Sequence, residues 1–170
     1  MNVRDDEANV ARFPAVVGHS LLGLRVLLPG GFPGERTLAV VAFQQRQQEA
    51  VDRWIARAVA AGVPATTRGV TGLLPVAVVE LPVLSTLWRP VRRFIDGGMA
   101  AGIGDPDVLA RTITVYTDVA AFQRSLAIPD GGDVQALVVA RDGAILARGH
   151  GEPDGVSWAA IAGALGLSRS

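Results

Sequence analysis

The sequence predicts an α/β domain built on a central mixed sheet, and three observations predict it. Thr37–Phe43 is an apolar run followed at once by Gln44-Gln45-Arg46-Gln47-Gln48-Glu49, and then by apolar residues at Val51, Trp54, Ile55 and Ala58. The run reads as a buried strand, and the i, i+3, i+4, i+7 spacing after it reads as one face of a helix. A second apolar run, Pro75–Leu81, returns after a Gly/Thr-rich loop over 62–74. Strand, helix and strand at this spacing imply a parallel pair with a right-handed crossover. Finally, Val134–Ala140 and Ala144–Arg148 flank Arg141-Asp142-Gly143, the pattern of a tight antiparallel hairpin.

Taken in order, residues 1–19 form a lead-in and residues 20–170 a single domain. Leu21–Leu28 has strand composition, and Pro29-Gly30-Gly31-Phe32-Pro33-Gly34 is dense in turn formers. With Arg36–Phe43 this unit reads as an extra N-terminal β-hairpin. A Gly-rich loop that cradles phosphate opens a helix, whereas here a strand follows, so turn chemistry accounts for the glycines. The helix after Gln45 runs to about Ala61, where Gly62 and Pro64 stop it. Residues 84–110 form a helical insertion with Pro90 in a first turn and Val91, Phe94, Ile95 and Met99 on its apolar face. Gly97-Gly98 should kink or end that helix, and Asp105-Pro106 should begin another. Arg111–Tyr116 is a strand, and Asp118 caps a helix carrying Val119, Phe122 and Leu126. A closing helix from Asp154 to Leu165 turns Trp158, Ile161 and Leu165 inward.

Composition narrows the function classes. Sixteen basic residues balance sixteen acidic ones, which removes the broad positive footprint of a nucleic-acid binder. Every basic residue is Arg and none is Lys, a bias of GC-rich coding that lowers the weight of any one Arg cluster. The N-terminus is polar and acidic, and no apolar run approaches the roughly 18 residues of a membrane span. A cytoplasmic protein without a membrane span is the expectation. The chain has no cysteine, so it has no disulfide, no thiolate nucleophile and no thiolate metal ligand.

The order of elements resembles the thioredoxin-like fold in its peroxiredoxin branch, a three-layer sandwich around a mixed sheet. Arg141-Asp142-Gly143-Ala144-Ile145-Leu146 with Gly149 is similar to that branch's closing hairpin. Ile113-Thr114-Val115-Tyr116-Thr117-Asp118, followed by Phe122 and Leu126, is similar to its preceding strand and helix. Within the superfamily the chain resembles the mitochondrial ATP synthase assembly-factor family and its bacterial relatives. That likeness rests on Val41-Ala42-Phe43-Gln44 with Trp54, on Arg93-Phe94-Ile95 with Gly98-Met99, and on Thr114–Asp118. The resemblance places the redox cysteines of thioredoxins near Gln47 or Gln48 and near Ala50 or Val51, and the neighbouring cis-proline near Val134. Glutamine supplies neither nucleophile nor redox couple, so thiol oxidoreductase and thiol peroxidase chemistry are excluded for this chain alone.

Two candidate sites follow. One is the vestigial redox corner of Gln44, Gln45, Gln47, Gln48 and Val51, with Val134 and Gln135 on the adjacent loop. It reads equally as a polar binding pocket or as an exposed first helical turn. The other is Arg89, Arg92 and Arg93, in which Arg89 shares a helix face with Arg92 or Arg93 at i, i+3 or i+4 and could grip an anion, or form an ordinary solvated face. His19 and His150 stand far apart without acids at ligand spacing, so no metal and no other cofactor is expected. Trp54, Trp88 and Trp158 are expected in or near the core. The preferred function is non-catalytic binding of a protein or peptide, of assembly or chaperone type, at the corner. The alternative is an enzyme or sensor that reuses the corner as an anion pocket with Arg93 and Gln44 as ligands. A homodimer through the sheet edge and the Trp88 region is a third reading.

Overall fold

The computed structural model describes residues 11–167. Its strands are β1 (Val16–Ser20), β2 (Arg25–Leu28), β3 (Gly34–Ala42), β4 (Leu74–Ser85), β5 (Ile113–Thr117), β6 (Gln135–Ala140) and β7 (Ile145–His150). Its helices are α1 (Gln48–Ala60), α2 (Arg92–Ile103), α3 (Pro106–Arg111), α4 (Val119–Ser125) and α5 (Gly155–Leu165), with 3-10 turns at Gln45–Gln47 and Thr86–Val91. One sheet runs β2-β1-β5-β4-β3-β6-β7. β3 and β5 pair parallel with β4, and the remaining pairs are antiparallel. The predicted mixed sheet with helices on both faces is therefore what forms.

β3 lies near the middle of that sheet and is buried on both sides, as its unbroken apolar run requires. Leu38 and Val40 join Val51, Trp54, Ile55 and Ala58 of α1 and Ile161 and Leu165 of α5 in one core. Ala39 and Val41 face the other core, with Phe122 and Leu126 from α4 and its C-cap. Phe13 closes this second core edge-on against Phe32 and Phe122, with ring centroids 5.3 and 5.9 Å away. Trp54 is fully buried and donates its indole N–H to the Gly151 carbonyl at 2.8 Å. Gly149 is required beneath it, because a Cβ there would lie 2.8 Å from the Trp54 ring. Asp105, Asp118 and Asp154 cap α3, α4 and α5 as their sequence positions predict.

Four expectations need correction. The N-terminal hairpin pairs β1 with β2, not Leu21–Leu28 with β3, and it adds to the far edge beside β5. Leu22, Leu24 and Leu27 are more than half exposed, so their apolar character imitates a buried strand without belonging to one. The lead-in expected over residues 1–19 already carries structure, since Phe13 is buried and β1 starts at Val16; residues 1–10 lie outside the described ones. Gly97-Gly98 does not end α2, which continues to Ile103 and closes on the left-handed Gly104. Trp88 is 53% exposed on the 3-10 turn before α2, outside the core, whereas Trp158 is half-buried with the Arg57 guanidinium over its ring.

Candidate functional site

The chain leaves the sheet at Phe43 and Gln44 and turns at once into the 3-10 turn and α1. Gln47 makes that corner rigid. It is 4% exposed, its Oε1 accepts from the backbone N–H groups of Phe43 (2.8 Å) and Gln44 (3.1 Å), and its Nε2 donates to the Gly131 carbonyl (2.8 Å). Gln44 Nε2 donates to the same carbonyl at 3.1 Å, and Arg46 reaches the Gly132 carbonyl at 3.2 Å. The corner is thus tied to the loop that follows α4.

Beside it lies a cavity of about 530 Å³ between the start of α1 and α2, over the C-terminal half of β4. Phe43, Pro82, Leu84, Ile95, Met99 and Ile103 make apolar walls, and Gln44, Gln45 and Gln48 bring amides to it. Among the described residues Glu80 is its one ionisable lining residue. This carboxyl is 4% exposed, on a central strand opposite Val40. Gln48 Nε2 donates to Glu80 Oε1 at 2.9 Å and to Asp52 Oδ1 at 3.0 Å. Burial pushes the Glu80 carboxyl above the usual carboxylate range; the Gln48 hydrogen bond and Arg111 oppose that rise, and Asp52 adds to it.

The structure separates the residues singled out in the sequence. Gln44, Gln45 and Gln48 line the cavity, and Gln47 supports it from beneath. Val51 and Val134 are core residues, and Gln135 sits inside the sheet between Val41 and His150. The Val134 carbonyl accepts from the Gly151 N–H at 2.9 Å, so that acceptor is already used and does not await an added peptide strand. Arg89, Arg92 and Arg93 do not reach the corner. Arg89 donates to the Tyr116 carbonyl (3.3 Å), Arg92 lies 3.7 Å from Asp96, and Arg93 lines a different cavity from Gln44. The anion pocket expected of Arg93 with Gln44 is therefore not assembled. His19 on β1 and His150 on β7 are separated by the sheet, and no cluster of three metal-ligating side chains occurs among the described residues.

Two polar residues matter that the sequence pattern did not mark. Glu80 registers there only as a charge interrupting an apolar run, which is itself the available signal for a buried acid. Asp96 is 9% exposed and its Oδ1 accepts from the Tyr116 hydroxyl (2.7 Å) and the Thr114 hydroxyl (3.1 Å), docking α2 on β5. Burial, and then Asp96 itself, push the Tyr116 phenol well above its ordinary value.

No protein-family model and no curated protein matches the chain. Solved structures do. A protein from Aquifex aeolicus VF5, described as a candidate electron transfer protein, has a TM-score of 0.61 at 11% identity over 95% of this chain and 99% of that one. The exposed lipoprotein thioredoxin Etrx1 from Streptococcus pneumoniae strain TIGR4 gives 0.53 at 9% identity, over 90% and 98% of the two chains. The fold is thioredoxin-like. BsSco, of the Sco family of cytochrome c oxidase assembly proteins and the bearer of a disulfide switch, gives 0.54 at 12% identity over 93% and 95%. This thioredoxin-like chain cannot form a thiol couple from its own residues, because it has no cysteine. Among the described residues no helix is long and apolar enough to cross a membrane.

Proposed function

We propose that this chain is a non-redox, thioredoxin-like binding protein of assembly or chaperone type, acting in the cytoplasm, whose corner cavity receives a side chain of a protein partner. The observation that carries this reading is the cavity itself: apolar walls beside the glutamine corner with one buried carboxyl, Glu80, among them. A long side chain with an apolar stem and an N–H-bearing head, lysine or arginine, matches that combination. Its cation would offset the cost of holding Glu80 in a buried position. The assembly-factor likeness of Val41–Gln44 and Arg93–Met99 supports the assembly role, and BsSco provides a precedent for assembly work on this fold.

The test is a photo-crosslinking residue at Gln45, on the cavity lining, compared in cells with the same probe in a Gly98→Leu background. Gly98 lines the cavity, and a Cβ there meets nothing within 4 Å. Leucine would fill the cavity while improving the helix by roughly 1 kcal/mol. A discrete protein adduct at Gln45 that disappears with Gly98→Leu is expected. No adduct, or one indifferent to the filled cavity, refutes the proposal. The volume of about 530 Å³ also suits a small molecule, which favours the enzyme or sensor reading as the second choice. Native mass spectrometry would then show a bound small ligand that Gly98→Leu expels.

A further inference from the structure

We propose that a second cleft, between the β1–β2 turn and α2, binds an oxyanion of the phosphate class, free or as a monoester. The cleft measures about 510 Å³ and lies on the opposite flank of α2 from the corner cavity. Arg92, Asp96 and Ala100, spaced i, i+4, i+8, face it, while Ile95, Met99 and Ile103 face the corner. It is therefore a separate site, independent of the function proposed above.

Its charge is what points to an anion. Arg25 from β2 and Arg92 and Arg93 from α2 line the cleft together with, among the described residues, a single carboxylate, Asp96. That carboxylate is already engaged by Thr114, Tyr116 and Arg92. Arg25 and Arg93 make no ion pair among the described residues, and both are exposed to the cleft. Guanidinium groups present paired N–H donors that match the oxygens of phosphate, and an anion shared by two of them is held bidentately. No acid occupies the first turn of α2, so nothing on that turn competes for the same donors. The volume leaves room beyond a bare phosphate for a small organic substituent.

His19 supplies an internal reporter. Its Nδ1 is buried without a partner among the described residues, which leaves only its Nε2 edge for the cleft. Burial and then Arg92 hold its imidazole below the ordinary value, Arg25 and Arg89 act in the same sense, and Asp96 alone opposes them. A bound dianion reverses that field and favours the imidazolium. Anion binding is therefore linked to proton uptake at His19 and moves the imidazole titration to higher pH.

The experiment is an NMR titration of the full chain with inorganic phosphate and, in parallel, glycerol phosphate, at ionic strength held constant with chloride. Saturable shifts of His19 and of the Gly23 and Gly97 amides are expected, with the His19 titration moving to higher pH when phosphate is bound. The double variant Arg25→Gln/Arg93→Gln changes two exposed side chains, so folding is retained and affinity should fall at least about tenfold. Equal binding of the two probes identifies the free anion, and tighter binding of the ester identifies a monoester site. Absence of saturation below about 10 mM overturns the proposal. So does binding undiminished in the double variant, or shifts reproduced by chloride alone.

Discussion

Replacing Gln47 by methionine should cost about 3 kcal/mol of stability and loosen the corner without emptying it. The magnitude comes from the three hydrogen bonds this buried side chain makes: two accepted from the Phe43 and Gln44 N–H groups and one donated to the Gly131 carbonyl. Each contributes about 1 kcal/mol net, which sums to about 3 kcal/mol; the part-buried Phe43 and Gln44 N–H groups lose their acceptor, while the Gly131 carbonyl keeps its bond from Gln44 Nε2. Methionine keeps the volume, which isolates the polar loss from a cavity term. With a urea m-value of about 2 kcal/mol/M, the midpoint should fall by about 1.5 M. For a chain of this size the melting temperature should fall by about 6–12 °C. Gln45→Met is the control, because Gln45 is exposed on the same turn; it should stay within about 0.5 kcal/mol of the parent. If Gln47→Met also stays within about 0.5 kcal/mol, the corner is not held by this side chain, and the account of a rigid site fails.

Two further outcomes follow from the buried acids. Glu80 holds its proton more tightly folded than unfolded, so the folded state binds more protons between the usual carboxylate value and the raised one. Its contribution is fully present below the unfolded value and is lost as pH rises through the folded one, and Glu80→Gln should flatten that slope in urea midpoints measured against pH; parallel curves for the two proteins would refute it. Asp96→Ala leaves the Thr114 and Tyr116 hydroxyls without their shared acceptor. It should cost about 3 kcal/mol and speed amide exchange along α2 more than along α1, whereas uniform exchange would show that α2 docks by other means.

The legible part of this fold is the part governed by periodicity. β3, α1, the β6–β7 hairpin and the caps at Asp118 and Asp154 all announce themselves through spacing or turn chemistry. The N-terminal hairpin does not, because Leu22, Leu24 and Leu27 are apolar yet exposed, and composition cannot reveal which side faces water. Gly97-Gly98 misleads for a related reason. Propensity penalises two glycines in a helix, but the bonds from Asp96 to β5 hold α2 in place from the adjacent turn, and tertiary contacts override the local preference. At the site, the glutamine corner is visible in sequence, but the division of labour within it is not. Which amide turns inward and which faces solvent depends on where the Gly131 carbonyl lies, 84 residues away. The same limit applies to Arg93, whose neighbours depend on the far edge of the sheet.

The cavity exists because α2 withholds side chains. Gly98 and Gly102 both line it, and a Cβ built at either meets nothing within 4 Å, so the glycines are not forced by crowding there. Ordinary helix-forming residues at those positions would stabilise α2 by roughly 1 kcal/mol each and would close the space above Glu80. A helix that forgoes this stabilisation must be anchored by something other than apolar knobs, and Asp96 with its two hydroxyl donors is that anchor. The arrangement separates holding from binding: the polar contacts to β5 fix α2, and its glycine-bearing flank stays open. A thioredoxin-like scaffold without thiols thus keeps a concave surface at its strand-end corner, where Glu80 is the one ionisable group lining it among the described residues.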